Sequence, residues 1–205
     1  MKRSTLVALK VLVWLACLSP FLWLVWHAAM NTLGPDPTAT ITFTTGLTTL
    51  RLLAITLAIT PIRKLIPKLA WTIRFRRLLG LFVFFYATLH LMTWVALYTG
   101  FDLHAMTSDI VKRRYITAGM AAWLLLLPLA ATSTNWAIRK LGGKRWNRLH
   151  KLIYAAAVCG VVHYWWQVKT GVMTPLTITL VIGILLFVRL LLALTGRRKA
   201  RPAEA

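Results

Sequence analysis

Six runs of apolar residues, each about 17–25 long, alternate with short polar segments along the chain: Val7–Met30, Phe43–Ile62, Leu78–Gly100, Tyr115–Ser133, Leu152–Val168 and Thr174–Leu194. A run of that length crosses the hydrocarbon core of a bilayer as one helix, the form in which backbone N–H and C=O groups satisfy one another. The pattern predicts an all-α membrane protein, a six-transmembrane-helix bundle whose short linkers keep it compact. The first run follows Lys2 and Arg3 as a signal peptide would. It exceeds the usual apolar core of roughly 7–15 residues, and Trp23 and Trp26 suit an interfacial anchor, so it is expected to be retained. The bundle is read as residues 1–196 and a polar tail as 197–205.

Composition supports this reading and charge orients it. Of 205 residues, 59% are hydrophobic and 14% charged, and mean hydropathy is +0.69, which excludes an ordinary soluble domain. Lys and Arg total 25 against four acids, Asp36, Asp102, Asp109 and Glu204. That balance would suggest nucleic acid in a soluble chain, but here the cations sit between spans. Lys2, Arg3 and Lys10 lie at the first span, and Arg63, Lys64, Lys68, Arg74, Arg76 and Arg77 separate the second from the third. Arg139, Lys140, Lys144, Arg145, Arg148 and Lys151 separate the fourth from the fifth, and Arg197, Arg198, Lys199 and Arg201 follow the sixth. The alternate loops hold only Lys112, Arg113, Arg114 and Lys169, with three of the acids. The positive-inside rule then makes both termini cytoplasmic, with anionic lipid headgroups as the natural partner of the basic loops. Cys17 and Cys159 fall within apolar runs, without CxxC or CxxCH, which excludes a disulfide framework, a zinc ribbon and covalent c-type haem.

Histidines supply the candidate chemistry. His90 lies 13 residues beyond Arg77, and His163 lies 13 beyond His150. At roughly 1.5 Å per residue both rise about 20 Å from the basic edge, and the third and fifth spans run in the same direction. Their imidazoles are therefore expected at one depth, as two axial ligands of one b-type haem require. Ala156 and Gly160 share the face of His163, and Ala118, Gly119, Ala121 and Ala122 offer small residues on the fourth span; a macrocycle slot and ordinary close helix packing both account for them. His27 and His104 fall at or beyond the outer interface.

His150 admits two readings. On a continuous helix it lies about 140° from His163, and a second, inner haem would need a ligand near position 76 or 77, where the chain has Arg76 and Arg77. Guanidinium does not ligate haem iron; it suits haem propionates, a flavin phosphate or the lipid surface. On the outer side, Lys112, Arg113 and Arg114 suit propionates or a docking partner, and Tyr164, Trp165 and Trp166 a haem edge or an interfacial belt. Arg51, in the outer part of the second span, either snorkels to lipid or meets a propionate.

The strings RRLLGLFVFFYATLHLMTW (Arg76–Trp94), TSTNWAIRKLGGKRWNRLHKLIY (Thr132–Tyr154) and VVHYWWQVK (Val161–Lys169), with PFLWLVW (Pro20–Trp26) and ITPIRKL (Ile59–Leu65), resemble the MsrQ (YedZ) family over essentially the whole chain. That family is similar in turn to the transmembrane parts of ferric reductases, NADPH oxidases and STEAP metalloreductases. The resemblance implies a multi-pass subunit of the bacterial inner membrane that binds haem b, is associated with FMN, and takes electrons from the quinone pool or a cytoplasmic flavin reductase. It also implies a periplasmic acceptor, the molybdenum enzyme MsrP, which repairs methionine sulfoxide in oxidised proteins. His90 and His163 match the family's haem-ligand positions, and His150 is a further matching histidine, a possible second metal site. Arg76, Arg77, Trp146, Arg148 and His150 share the depth of a flavin or quinone entry site. Rival readings are a stand-alone ferric or cupric reductase, a metal or proton transporter, for which intramembrane carboxylates are scarce, and a cofactor-free anchor. The chain has no GxGxxG after a strand, so any NAD(P)H would be oxidised by another protein.

Overall fold

The computed structural model describes residues 3–168 and 173–199, and side chains at 4–168 and 173–195. Lys169 and most of the 197–205 tail lie outside the described residues. Among those described, regular structure is entirely helical: α1 (Arg3–Ala29), α2 (Pro37–Leu65), α3 (Arg76–Thr93), α4 (Leu103–Lys112), α5 (Arg114–Ala131), α6 (Asn135–Leu149), α7 (Leu152–Gln167) and α8 (Met173–Lys199). A 3-10 stretch, Pro67–Phe75, leads into α3, and a π-helical turn, Trp94–Tyr98, extends it. Among the described residues, five helical segments are long and apolar enough to cross a membrane: Ser4–Ala29, Pro37–Leu65, Pro67–Tyr98, Arg114–Ala131 and Met173–Thr195. The fifth predicted span corresponds to α7, which has 16 residues and rises about 24 Å.

The segments read as plain loops differ most from expectation, since α4, α6 and the 3-10 stretch give them helical structure. Their helical signal lies in capping rather than hydropathy. Asp102 caps α4 by accepting from the His104 and Ala105 amides, and Thr134 caps α6 by accepting from Ala137. Neither helix turns a stripe to the core: α4 buries no residue and α6 only Ala137.

The core joins α2, α3, α5 and α7 around Leu57, Val83, Tyr86 and Ala157, with Ile182 of α8 against it. Large apolar side chains on α1 and α8, such as Val11, Leu12, Ile184 and Phe187, face outward, as they must where lipid is the solvent.

Two intramembrane prolines account for the main polar contacts between helices. Proline lacks an N–H and its ring crowds the carbonyl four residues earlier, so each one breaks a rung of its helix. Next to Pro20 in α1, the Tyr86 hydroxyl enters the gap. It donates to Cys17 O at 2.7 Å and accepts from the Phe21 amide at 3.1 Å, which would otherwise bond each other; Ser19 Oγ donates to Ala16 O at 2.9 Å. In α2, Pro61 frees the Leu57 carbonyl, and Arg189 of α8 takes it through Nε at 2.8 Å. Arg189 also donates to Thr60 Oγ1 at 3.1 Å and to the Tyr154 hydroxyl at 2.9 Å. This guanidinium, only 8% exposed, staples α2, α7 and α8 by supplying donors the hydrocarbon cannot.

Candidate functional site

His90 and His163 stand together. Their ring centroids are 5.8 Å apart with planes at 82°. A metal held between two imidazole nitrogens at roughly 2.0–2.1 Å each places the centroids about 6 Å apart, close to the observed spacing.

The two rings are fixed by the same device used twice. His90 Nδ1 lies 3.0 Å from Thr42 O of α2, and His163 Nδ1 lies 2.7 Å from Tyr115 O of α5. A carbonyl only accepts, so each ring carries its proton on Nδ1 and leaves a lone pair on Nε2, the form that binds metal. Four residues after each carbonyl stands a glycine, and the ring lies where its side chain would be. A Cβ on Gly46 would meet His90 Cε1 at 3.0 Å, and one on Gly119 would meet His163 Nδ1 at 2.7 Å.

No described buried side-chain nitrogen lacks a partner, so the free Nε2 atoms open into the cavity that both rings line. It has a volume of about 250 Å³, and α2, α3, α5 and α7 wall it with Gly46, Leu50, Gly119, Ala156 and Gly160 among its lining. Toward the Asp-bearing end it reaches Trp94, Asp109, Arg113 and Tyr115. There Arg113 pairs with Asp109 at 3.0 Å and donates to the Tyr115 hydroxyl at 3.2 Å. Among the described residues no three His, Cys, Asp or Glu side chains gather as a metal site. A bare ion thus finds two ligands here, whereas a macrocycle brings four nitrogens and needs only two more. The anchored imidazoles, the apolar walls and the glycine cradles fit a bis-histidine haem.

At the basic end the chemistry differs. His150 caps α6, and the chain turns before α7 begins at Leu152, so the helix is not continuous from His150 to His163. The Thr132 hydroxyl donates to Pro128 O at 2.6 Å, and its oxygen lies 3.1 Å from His150 Nε2; the proton of His150 is therefore on Nε2. Trp146 stacks on the ring at 3.8 Å between centroids and donates to Thr132 O. Burial, and after it the Arg76 charge, lowers the His150 pKa to about 4.

Of the residues singled out from sequence, His90 and His163 converge, while Arg76, Trp146 and His150 form a separate group. Arg77 is exposed and donates to Asn135 Oδ1; Arg148 is exposed. Gly119, Ala122 and Tyr164 line the cavity, whereas Trp165 donates to Thr179 and Trp166 is exposed. Gly46 and Arg189 were not anticipated. Their signals were a glycine in a threonine-rich span and one arginine within the apolar sixth span.

Residues 45–161 match the family model described as ferric reductase like transmembrane component. A Ralstonia nicotianae protein named protein-methionine-sulfoxide reductase heme-binding subunit MsrQ is 49% identical over 168 residues, 82% of this chain and 76% of that protein. Proteins of the same name from Xanthomonas axonopodis pv. citri and Rhodospirillum rubrum are 44% and 46% identical. They cover 100% and 94% of this chain, and 98% and 92% of their own lengths.

Proposed function

Since the chain belongs to the MsrQ family, with a ferric-reductase-like transmembrane component, we propose that it carries electrons across the bacterial inner membrane to a periplasmic MsrP-like molybdenum reductase of protein methionine sulfoxide. The observation that carries this reading is the pair of imidazoles, each tied through Nδ1 to a carbonyl and each presenting Nε2 to one cavity. His90 and His163 are the residues that would hold haem b. When bound between His90 and His163, the haem would supply a one-electron ferric/ferrous couple. The protein's part is to anchor the rings, keep their tautomer, and wall the site with apolar side chains that exclude water. The topology proposed is six spans with both termini cytoplasmic.

At the basic end, Arg76, Arg77, Trp146, Arg148 and His150 form the entry side, where FMN or a quinone, or a cytoplasmic flavin reductase, delivers electrons. Two features support it: the Arg76 guanidinium makes no hydrogen bond or ion pair among the described residues, and Trp146 and His150 present a stacked aromatic pair. His150 serves this side rather than as an axial ligand, because its Nε2 is committed to Thr132.

The test is the haem-to-protein ratio of the detergent-purified chain, with His90→Ala, His163→Ala and His150→Ala beside it. A ratio near one that collapses in the first two and survives in the third is expected. A ratio near two would make His150 a ligand, and no haem at all would sink the electron-relay reading. Transfer of electrons to small metal ions as fast as to the periplasmic reductase would favour a stand-alone metal reductase.

A further inference from the structure

The device that holds the two rings is not the same on both sides. On α2 the carbonyl belongs to Thr42 and the glycine is Gly46; on α5 they are Tyr115 and Gly119. The residue three after each carbonyl, just before the glycine, lies on the same face of its helix. On α2 that residue is Thr45, and on α5 it is Ala118. Thr45 is only 1% exposed, and its hydroxyl oxygen lies 3.4 Å from His90 Nδ1. Among the described residues, His163 Nδ1 has the Tyr115 carbonyl alone, at 2.7 Å.

Where the Thr45 proton goes decides what its oxygen does to the ring. Two carbonyls of its own helix are in reach, Ile41 O at 2.8 Å and Thr42 O at 3.1 Å. A hydroxyl has one proton to give, and the shorter contact takes it. Thr42 O already accepts from His90 Nδ1 at 3.0 Å, which makes it the poorer acceptor of the two. With its proton on Ile41 O, Thr45 keeps lone pairs for His90, and the bond that it donates makes its oxygen a better acceptor. The Nδ1 proton of His90 is then forked between Thr42 O and Thr45 Oγ1, a three-centre bond that the α5 side lacks.

We propose that Thr45 is a positioning residue that acts through His90: by accepting at Nδ1 it makes the cavity-facing Nε2 more basic and favours ferric over ferrous iron. This rests on the haem reading above and adds to it a residue that sets the two ligands apart. An acceptor on one ring nitrogen raises the basicity of the other, and a more basic ligand suits the higher charge of ferric iron, so hydrogen bonding around the ligands sets the potential. Thr45 is buried, so no water takes its place when the hydroxyl is removed.

Wild type, Thr45→Val, Thr45→Ser and Thr56→Val are purified in detergent with haem, and the midpoint potential of each is measured by spectroelectrochemical titration. Thr56 is the control, a buried hydroxyl of the same helix whose bond is to Leu52 O at 2.7 Å. Thr45→Val is expected to shift the ferric/ferrous ratio roughly two- to tenfold toward ferrous, the weight of a single hydrogen bond. That is a rise of at most about 59 mV for one electron. Thr45→Ser keeps the hydroxyl and should stay with the wild type, as should Thr56→Val, and haem content should be the same in all four. An unchanged potential in Thr45→Val overturns the proposal. So does a lowered one, which would put the hydroxyl proton on Thr42 O in competition with His90. An equal rise in Thr45→Ser or Thr56→Val overturns it as well, because any change in α2 would then suffice, and loss of haem from Thr45→Val would make the hydroxyl a tie for the ring and nothing more. A wild type that binds no haem sinks the haem assignment and this inference together, whereas every other negative result leaves the assignment standing.

Discussion

The two ends of the bundle use histidine in opposite ways. Toward the Asp-bearing end, His90 and His163 give their Nδ1 protons to backbone carbonyls and turn Nε2 to a cavity. At the basic end, His150 gives its Nε2 proton to the Thr132 hydroxyl, lies against Trp146, and has an arginine as its charged neighbour. All three rings are equally able to carry a lone pair, so neutral imidazole alone does not make a ligand. What separates them is which nitrogen the fold spends. At the paired site it spends the one beside the backbone and leaves the outer one free, which lets a large planar group approach without meeting the main chain.

Removing either member of the pair should have the largest effect. His90→Ala or His163→Ala should abolish stoichiometric haem, whereas His150→Ala should leave its amount unchanged, as read by pyridine haemochrome. Loss of haem on all three substitutions would erase the contrast between the ends.

A subtler break comes from the glycines. Gly119→Ala puts a methyl 2.7 Å from His163 Nδ1, on the atom that holds the ring, whereas Gly46→Ala meets His90 Cε1 at 3.0 Å. The first should weaken haem retention by about tenfold or more, by displacing the ring from its carbonyl at a cost of roughly 1–3 kcal/mol. The second should have a smaller effect. Both should change the anisotropy of the low-spin ferric EPR spectrum, which reports the angle between imidazole planes, here 82°. Wild-type spectra in both variants would show that the glycines do not set the rings.

Outside the site, Tyr86→Phe tests the proline repair. It leaves Cys17 O and the Phe21 amide without the hydroxyl between them, at a cost of about 1–3 kcal/mol. Haem content should be kept and thermal stability lost in detergent. An unchanged melting midpoint would mean that α1 closes its own rung.

These contrasts also explain what the sequence made legible. Span lengths are written in hydropathy, so all six apolar runs coincide with helices, and the spacing from the basic clusters brought His90 and His163 to one level. The depth count held even though its marker, His150, belongs to the end of α6 rather than to a continuous fifth helix. Helices α4 and α6 were missed because neither buries a stripe, and hydropathy carries no record of a cap. Gly46 and Gly119 act through the absence of a side chain against a ring far away in sequence. The shared spacing of carbonyl and glycine, Thr42 with Gly46 and Tyr115 with Gly119, becomes meaningful only once the rings lie on it. The carbonyl freed by Pro61 was readable from sequence, but its donor, Arg189, comes from a distant helix.

The smallest expected effect lies at the basic end and has a definite sign. With its pKa lowered to about 4 against roughly 6.5 for an ordinary histidine, His150 is neutral in the folded protein through mild acid. Above about pH 6.5 the ring is neutral in both folded and unfolded chains, so it adds no pH dependence. As the pH falls from there toward 4, the unfolded chain takes up a proton that the folded chain refuses, and stability declines. The ring is partly open to its surroundings, which limits the size of this term but not its direction. His150→Gln keeps an N–H for Thr132 and has no titrating ring, so its melting midpoint should fall less steeply than that of the wild type between pH 6.5 and 4.5. His90 and His163 are common to both proteins and cancel in the difference. Parallel curves would mean that His150 is protonated in the folded state beside Arg76, and the two ends would then differ in charge as well as in the nitrogen they commit.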